Sequence, residues 1–122
     1  MRDRLMIIMV NTDPHNGAAV GAPFFQATVA AAMDYSVEII LTGRSGELAK
    51  KGVAEKLHPQ EGNVKTVYDF IKEAYDAGVT FKVCTPTIEL WGDDLIPEIE
   101  ETIGAAYVIS EAMNDNTVTF TY

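Results

Sequence analysis

Apolar positions along the chain fall into runs of two kinds that alternate. Leu5-Met6-Ile7-Ile8-Met9-Val10 is unbroken and stops at Asn11-Thr12-Asp13-Pro14, the pattern of a strand buried on both faces, as parallel sheets require. Val37, Ile39, Ile40 and Leu41 predict a second strand ended by Thr42 and Gly43, and Val79 to Cys84 a third. Between them the spacing turns helical. Pro23 suits a first turn and predicts a helix running to about Met33. Val64, Val67, Tyr68, Ile71 and Tyr75 predict an amphipathic helix with Asn63 as its cap and Gly78 just past its end.

Farther on, Leu95, Ile96, Ile99 and Ile103 predict a short helix capped by Asp94, with Pro97 tolerated in its first turn. Ala105 to Ile109 predicts a fourth strand, and the alternation Val118 to Tyr122 a half-exposed strand near a sheet edge. The polar stretch from Arg44 to Gly62 carries one expected helical turn near Glu47 to Lys51. Strands alternating with helices imply an α/β fold: a flavodoxin-like three-layer sandwich, a mostly parallel five-stranded sheet with helices on both faces, in a flavodoxin-like strand order. Such sheets bind ligands outside the carboxyl ends of their strands, so Asn11, Thr12, Asp13, Thr42 and Cys84 are expected at one rim.

A length of 122 residues predicts one domain over 1–122. The formal net charge of −9 repels phosphate backbones and anionic lipid heads, so neither nucleic acid nor a membrane is an expected partner. The run Leu5 to Val10 is too short for a signal-peptide core, and no segment reaches the roughly 18 apolar residues of a span. The single cysteine cannot form an internal disulfide, which points to a reducing, cytoplasmic compartment.

That cysteine is the residue with the most chemistry to offer. Cys84 ends the third predicted strand, and Thr85-Pro86-Thr87 opens a turn into a short helix. Backbone N–H groups at a helix start favour negative charge on a neighbouring sulfur; a buried cysteine is equally a small core hydrophobe. Spacing excludes several chemistries. Leu90 stands where a Cys-x5-Arg phosphatase or rhodanese needs arginine, and Thr87 stands where a thioredoxin-type pair needs its second cysteine. A resolving thiol and cysteine zinc partners are missing too. A receiver domain would need aspartate at position 84, and Asn16-Gly17-Ala18-Ala19-Val20-Gly21 fits neither a dinucleotide fingerprint nor a phosphate loop.

The opening strand with Thr12-Asp13-Pro14, the Pro23-Phe24 helix start, Gly78-Val79 leading into strand three, and Lys82-Val83-Cys84 followed by a turn and Gly92 together resemble the DsrE-like family, which includes the DsrE and TusD sulfur-relay proteins. The resemblance implies a homo-oligomer, trimer or hexamer, whose cysteine carries sulfane sulfur as a persulfide between donor and acceptor proteins without metal or organic cofactor. Cys84 is the position onto which that role maps. The resemblance thus implies a sulfurtransferase-type sulfur carrier and leaves open whether the chain turns over as an ordinary enzyme. The other reading is a small-ligand-binding or assembly module with a structural cysteine.

Around Cys84 the candidate pocket residues are Asn11, Thr12, Asp13, His15, Thr42, Thr85 and Trp91. His15 offers acid–base chemistry in the loop after strand one, and Trp91 a cover for the thiol or a subunit contact. Asp13 also reads as a turn residue. His15 and His58 lack the paired spacing of a metal site.

Overall fold

The computed structural model describes residues 2–59 and 65–122. Five strands, β1 (Arg4–Met9), β2 (Ser36–Leu41), β3 (Thr80–Cys84), β4 (Ile99–Ile103) and β5 (Thr117–Thr121), form one sheet in which every neighbouring pair is parallel. Helices α1 (Gly17–Ala32), α2 (Val67–Asp76), α3 (Thr85–Trp91) and α4 (Ala105–Ala112) and two 3-10 turns, Gly43–Ala49 and Ala54–Lys56, complete the described residues. The expected three-layer α/β sandwich is present. Its strand order is β4-β3-β2-β1-β5, which departs from the flavodoxin order 2-1-3-4-5. From β1 to β4 the chain steps across the sheet in one direction, so right-handed crossovers place α1, α2 and α3 on one face. The return from β4 to β5 puts α4 on the other.

The first face holds most of the apolar core. Ile7, Met9, Val37, Ile39, Leu41, Phe81 and Val83 of the sheet meet Val20, Phe24 and Ala27 of α1 and Val67, Ile71 and Ala74 of α2. Leu48 and Ala49 of the first 3-10 turn are also fully buried there, so the polar stretch after β2 folds onto the core. Gly46 in that turn has no room for a Cβ because the Thr87 methyl group of α3 occupies the space. The second face has a cluster of four buried residues, Met6, Ile40, Cys84 and Ile103, against which Tyr107, Val108 and Ala112 of α4 pack.

Several expectations are corrected. The first helix begins six residues before Pro23, because the Asn16 side chain caps it by accepting the Ala18 N–H at 3.1 Å. Pro23 therefore lies inside α1. The cap of α2 is Thr66, in a reciprocal capping box with Asp69; Asn63 and Val64 lie outside the described residues. Gly78 does end the segment, at φ 106°.

The predicted helix over Leu95 to Ile103 is absent, and its second half is β4. Leu95 bridges to Lys50, and Asp94 caps nothing: it faces Lys51 at 3.4 Å. Ile99 and Ile103 have helical spacing, but a bulge in the β3–β4 register sends them to opposite faces, Ile99 to the large core and Ile103 to the small cluster. The predicted strand Ala105 to Ile109 is helix α4. A five-residue apolar run does not distinguish the two.

Candidate functional site

Cys84 is both the last residue of β3 and the residue that caps α3, with extended backbone at φ −75° and ψ 145°. Pro86 occupies the first turn of α3, where its missing N–H interrupts no helical hydrogen bond. Across the strands Cys84 pairs with Ile103, and Gly104 immediately beyond opens α4. Neither α3 nor α4 has a side chain capping its first N–H groups. The Thr85 hydroxyl donates to the Ile103 carbonyl at 3.2 Å and ties the two helix starts together.

The chains leaving β3 and β4 part in opposite directions, α3 to the large-core face and α4 to the other. Adjacent parallel strands whose connections diverge in this way leave a crevice at their carboxyl ends. Cys84 lies at the carboxyl end of β3, between these diverging connections, buried at 9% exposure among Met6, Ile40 and Ile103. The uncapped starts of the two helices begin on either side of it.

The other candidates gather elsewhere on the rim. Asp13, His15 and Trp91 line a cavity of about 270 Å³ together with Arg44 and Glu47, and Cys84 is not among its walls. His15 Nε2 is 2.9 Å from Glu47 Oε1, Arg44 is 3.1 Å from Asp13, and the Trp91 indole N–H donates to the Gly43 carbonyl at 3.2 Å. Thr12 is buried, while Asn11 is exposed and its N–H donates to the Tyr122 carbonyl. Thr42 begins the 3-10 turn and packs with Ser45, whose hydroxyl donates to the Met9 carbonyl. Thr85 alone of these adjoins the cysteine. Among the described residues no three His, Cys, Asp or Glu side chains gather closely enough to hold a metal ion.

On the cysteine's own face lies a polar cluster that the sequence reading missed. Glu38 of β2 and Lys82 of β3 are buried and 3.6 Å apart, and the Tyr107 hydroxyl of α4 sits between them, donating to Glu38 at 2.9 Å and accepting from Lys82 at 2.6 Å. Arg4 of β1 reaches Glu38 at 2.9 Å and Glu111 of α4 at 3.2 Å, and Glu101 of β4 meets Lys82 at 3.0 Å. Burial acts to lower the Lys82 ammonium, but its hydrogen bonds to Tyr107 and Glu101 and the charge of Glu38 outweigh it, so the group is raised. Arg4 is raised in the same way, chiefly by Glu38 against its own desolvation. A signal existed: Arg4, Glu38 and Lys82 are single charges within otherwise apolar strands, and parallel neighbours bring such charges together. Tyr107 was hidden by the strand assigned to Ala105–Ile109.

No helix among the described residues is long and apolar enough to cross a membrane. A sequence model of the DsrE/DsrF-like family matches residues 5–120. No curated protein matches the chain.

Proposed function

The chain belongs to the DsrE/DsrF-like family, and from that premise we propose that it is a sulfur carrier that takes sulfane sulfur from a donor protein onto Cys84 and passes it to an acceptor. The observation that carries this reading is the place of Cys84, at the end of β3 where α3 and the neighbouring α4 diverge, with the uncapped starts of both helices beside it. The Cys84 thiolate attacks the outer sulfur of the donor persulfide, and a new S–S bond forms as the donor's S–S bond breaks. The electron pair leaves on the donor thiolate. No net oxidation occurs, and the reverse step at an acceptor thiol regenerates Cys84. A homo-oligomer in a reducing, cytoplasmic setting suits a carrier with one thiol.

The test is the intact mass of the protein after incubation with a low-molecular-weight persulfide. The expected result is a gain of about 32 Da, one sulfur atom, that disappears with dithiothreitol and is absent from Cys84→Ser. No gain under conditions that load a known carrier removes the proposal.

A second reading has its own observation: the cavity of Asp13, His15, Arg44, Glu47 and Trp91 is formed without the cysteine. In that reading the rim binds a small ligand and Cys84 is structural. Alkylation separates the two. If native Cys84 resists iodoacetamide while the unfolded chain reacts, the binding module is favoured.

A further inference from the structure

Arg44 and Glu47 stand three residues apart in the 3-10 turn Gly43–Ala49. At three residues per turn and about 2 Å of rise per residue, such positions share one side of the turn, roughly 6 Å apart along it. Opposite charges so placed would ordinarily meet each other. Here each is held by the loop after β1 instead. Arg44 lies 3.1 Å from Asp13 Oδ2, and Glu47 Oε1 lies 2.9 Å from His15 Nε2. Both Asp13 oxygens are occupied, because Oδ1 accepts the His15 N–H at 3.0 Å. Arg44 meets Asp13 through Nη2 alone, and among the described residues Glu47 Oε2 has no partner. A guanidinium and a carboxylate oxygen are thus left with spare capacity on one turn.

The space they border is the cavity of about 270 Å³ whose further walls include Pro14, His15 and Trp91. It is preformed. Leu48 and Ala49 anchor the turn in the core, the Arg44 N–H donates to the Val10 carbonyl at 3.1 Å, and the Trp91 indole is tied to the Gly43 carbonyl. Gly43 itself has φ 54°, and a Cβ there would stand 2.8 Å from the Val10 carbonyl oxygen, a close approach that glycine allows. The volume lies just under the roughly 300 Å³ at which pockets for drug-sized ligands begin, which suits a small metabolite rather than a nucleotide or a folded partner.

We infer that this cavity binds a free α-amino acid with an apolar side chain, its carboxylate on the Arg44 guanidinium, its ammonium on Glu47 Oε2 and its side chain against Trp91 and Pro14. The inference rests on the second reading above, in which the cavity holds a small ligand, and names the chemical class of that ligand. Charge selects the class. A guanidinium presents a fork of donors that matches a carboxylate. A ligand with negative groups alone would meet Asp13, Glu47 and the field of a chain of net charge −9; one with positive groups alone would meet Arg44. A zwitterion has no net charge and carries both signs on one carbon. The Arg44 and Asp13 side chains are 65% and 36% exposed, so their pair is worth little by itself and the guanidinium can turn to share a ligand carboxylate.

Trp91 is the single tryptophan of the chain, so its emission reports on this wall of the cavity. Titration with L-phenylalanine and with L-leucine, followed by Trp91 fluorescence and by calorimetry, is expected to saturate with a Kd of about 1 mM or tighter. Phenylpropionate, which lacks the ammonium, and phenethylamine, which lacks the carboxylate, are each expected to bind at least about tenfold more weakly than L-phenylalanine, the loss of one charge-assisted hydrogen bond. In Arg44→Gln the difference between L-phenylalanine and phenethylamine is expected to close, and in Glu47→Gln that between L-phenylalanine and phenylpropionate. Phenylpropionate or phenethylamine binding as tightly as L-phenylalanine to the wild-type protein, or differences that persist in the folded variants, would overturn the zwitterion and leave a site for some other small ligand. No saturation with either amino acid overturns the inference as well. The second reading is decided separately, by the reaction of native Cys84 with iodoacetamide.

Discussion

Under α1, α2 and α3, the sheet presents one apolar side chain after another, nearly all fully buried, with the Phe24 and Phe81 rings 6.2 Å apart at the centre. Under α4 the same strands present Arg4, Glu38 and Lys82 between Met6, Ile40 and Cys84, and the helix above has no buried residue of its own. The difference lies in what holds each layer on. The first is held by the area it removes from water. The second is held by Tyr107 and Glu111, which reach down to buried charges whose desolvation is costly unless every partner is present. The thinner, polar layer is also the one beside the reactive candidate, so the stable face serves as scaffold and the marginal face covers the sulfur.

Four measurements can break or sharpen this contrast. Phe81→Ala, on the thick face, is expected to cost about 3–5 kcal/mol in urea unfolding; a smaller loss than any substitution under α4 would invert the comparison. Tyr107→Phe keeps the ring and removes the hydroxyl between Glu38 and Lys82, at an expected cost of about 1–3 kcal/mol. The same variant is expected to speed alkylation of Cys84, since it loosens the helix whose residues pack on that cluster. An unchanged rate would mean that α4 does not control access.

The third measurement is stability against pH. Lys82 is raised above its ordinary 10.5, as stated, and Tyr68 is raised above 10.0 by burial and by its hydrogen bonds to Glu98 at 3.0 and 3.1 Å. Both groups hold their protons more tightly in the folded chain than in the unfolded one. Their contribution is full below the ordinary values and is lost as pH rises through the folded ones. The urea midpoint is therefore expected to fall above about pH 10, less steeply in Lys82→Met. The smallest effect is expected from Thr66→Ala, which removes the α2 cap on the thick face for about 1 kcal/mol and leaves Cys84 alkylation unaltered.

How much of this was legible depended on how local each signal was. The strands β1, β2 and β3 could be read because short, mainly β-branched and aliphatic runs between turn residues have one good interpretation. The region from Leu95 to Ile109 could not, since Leu95, Ile96, Ile99 and Ile103 satisfy a helical period as well as a bulged strand. At the site, Cys84 was placed at a strand end from its neighbours alone. Arg44 and Glu47, which complete the cavity of Asp13, His15 and Trp91, come from the polar stretch whose fold has no periodic signal. The pairing of Arg4, Glu38 and Lys82 with Tyr107 depends on strand order and on which face α4 covers.

The residues by themselves determined the layers, the parallel sheet and the strand-end position of Cys84, because apolar periodicity and turn chemistry act over a few neighbours. Only the tertiary structure decided that the sheet runs β4-β3-β2-β1-β5, that α4 is the one described helix on the face bearing the sulfur, and that a helix without charge is left with one side in water. Those outcomes follow from the direction of each crossover and from contacts between segments far apart in the chain, which no local pattern encodes.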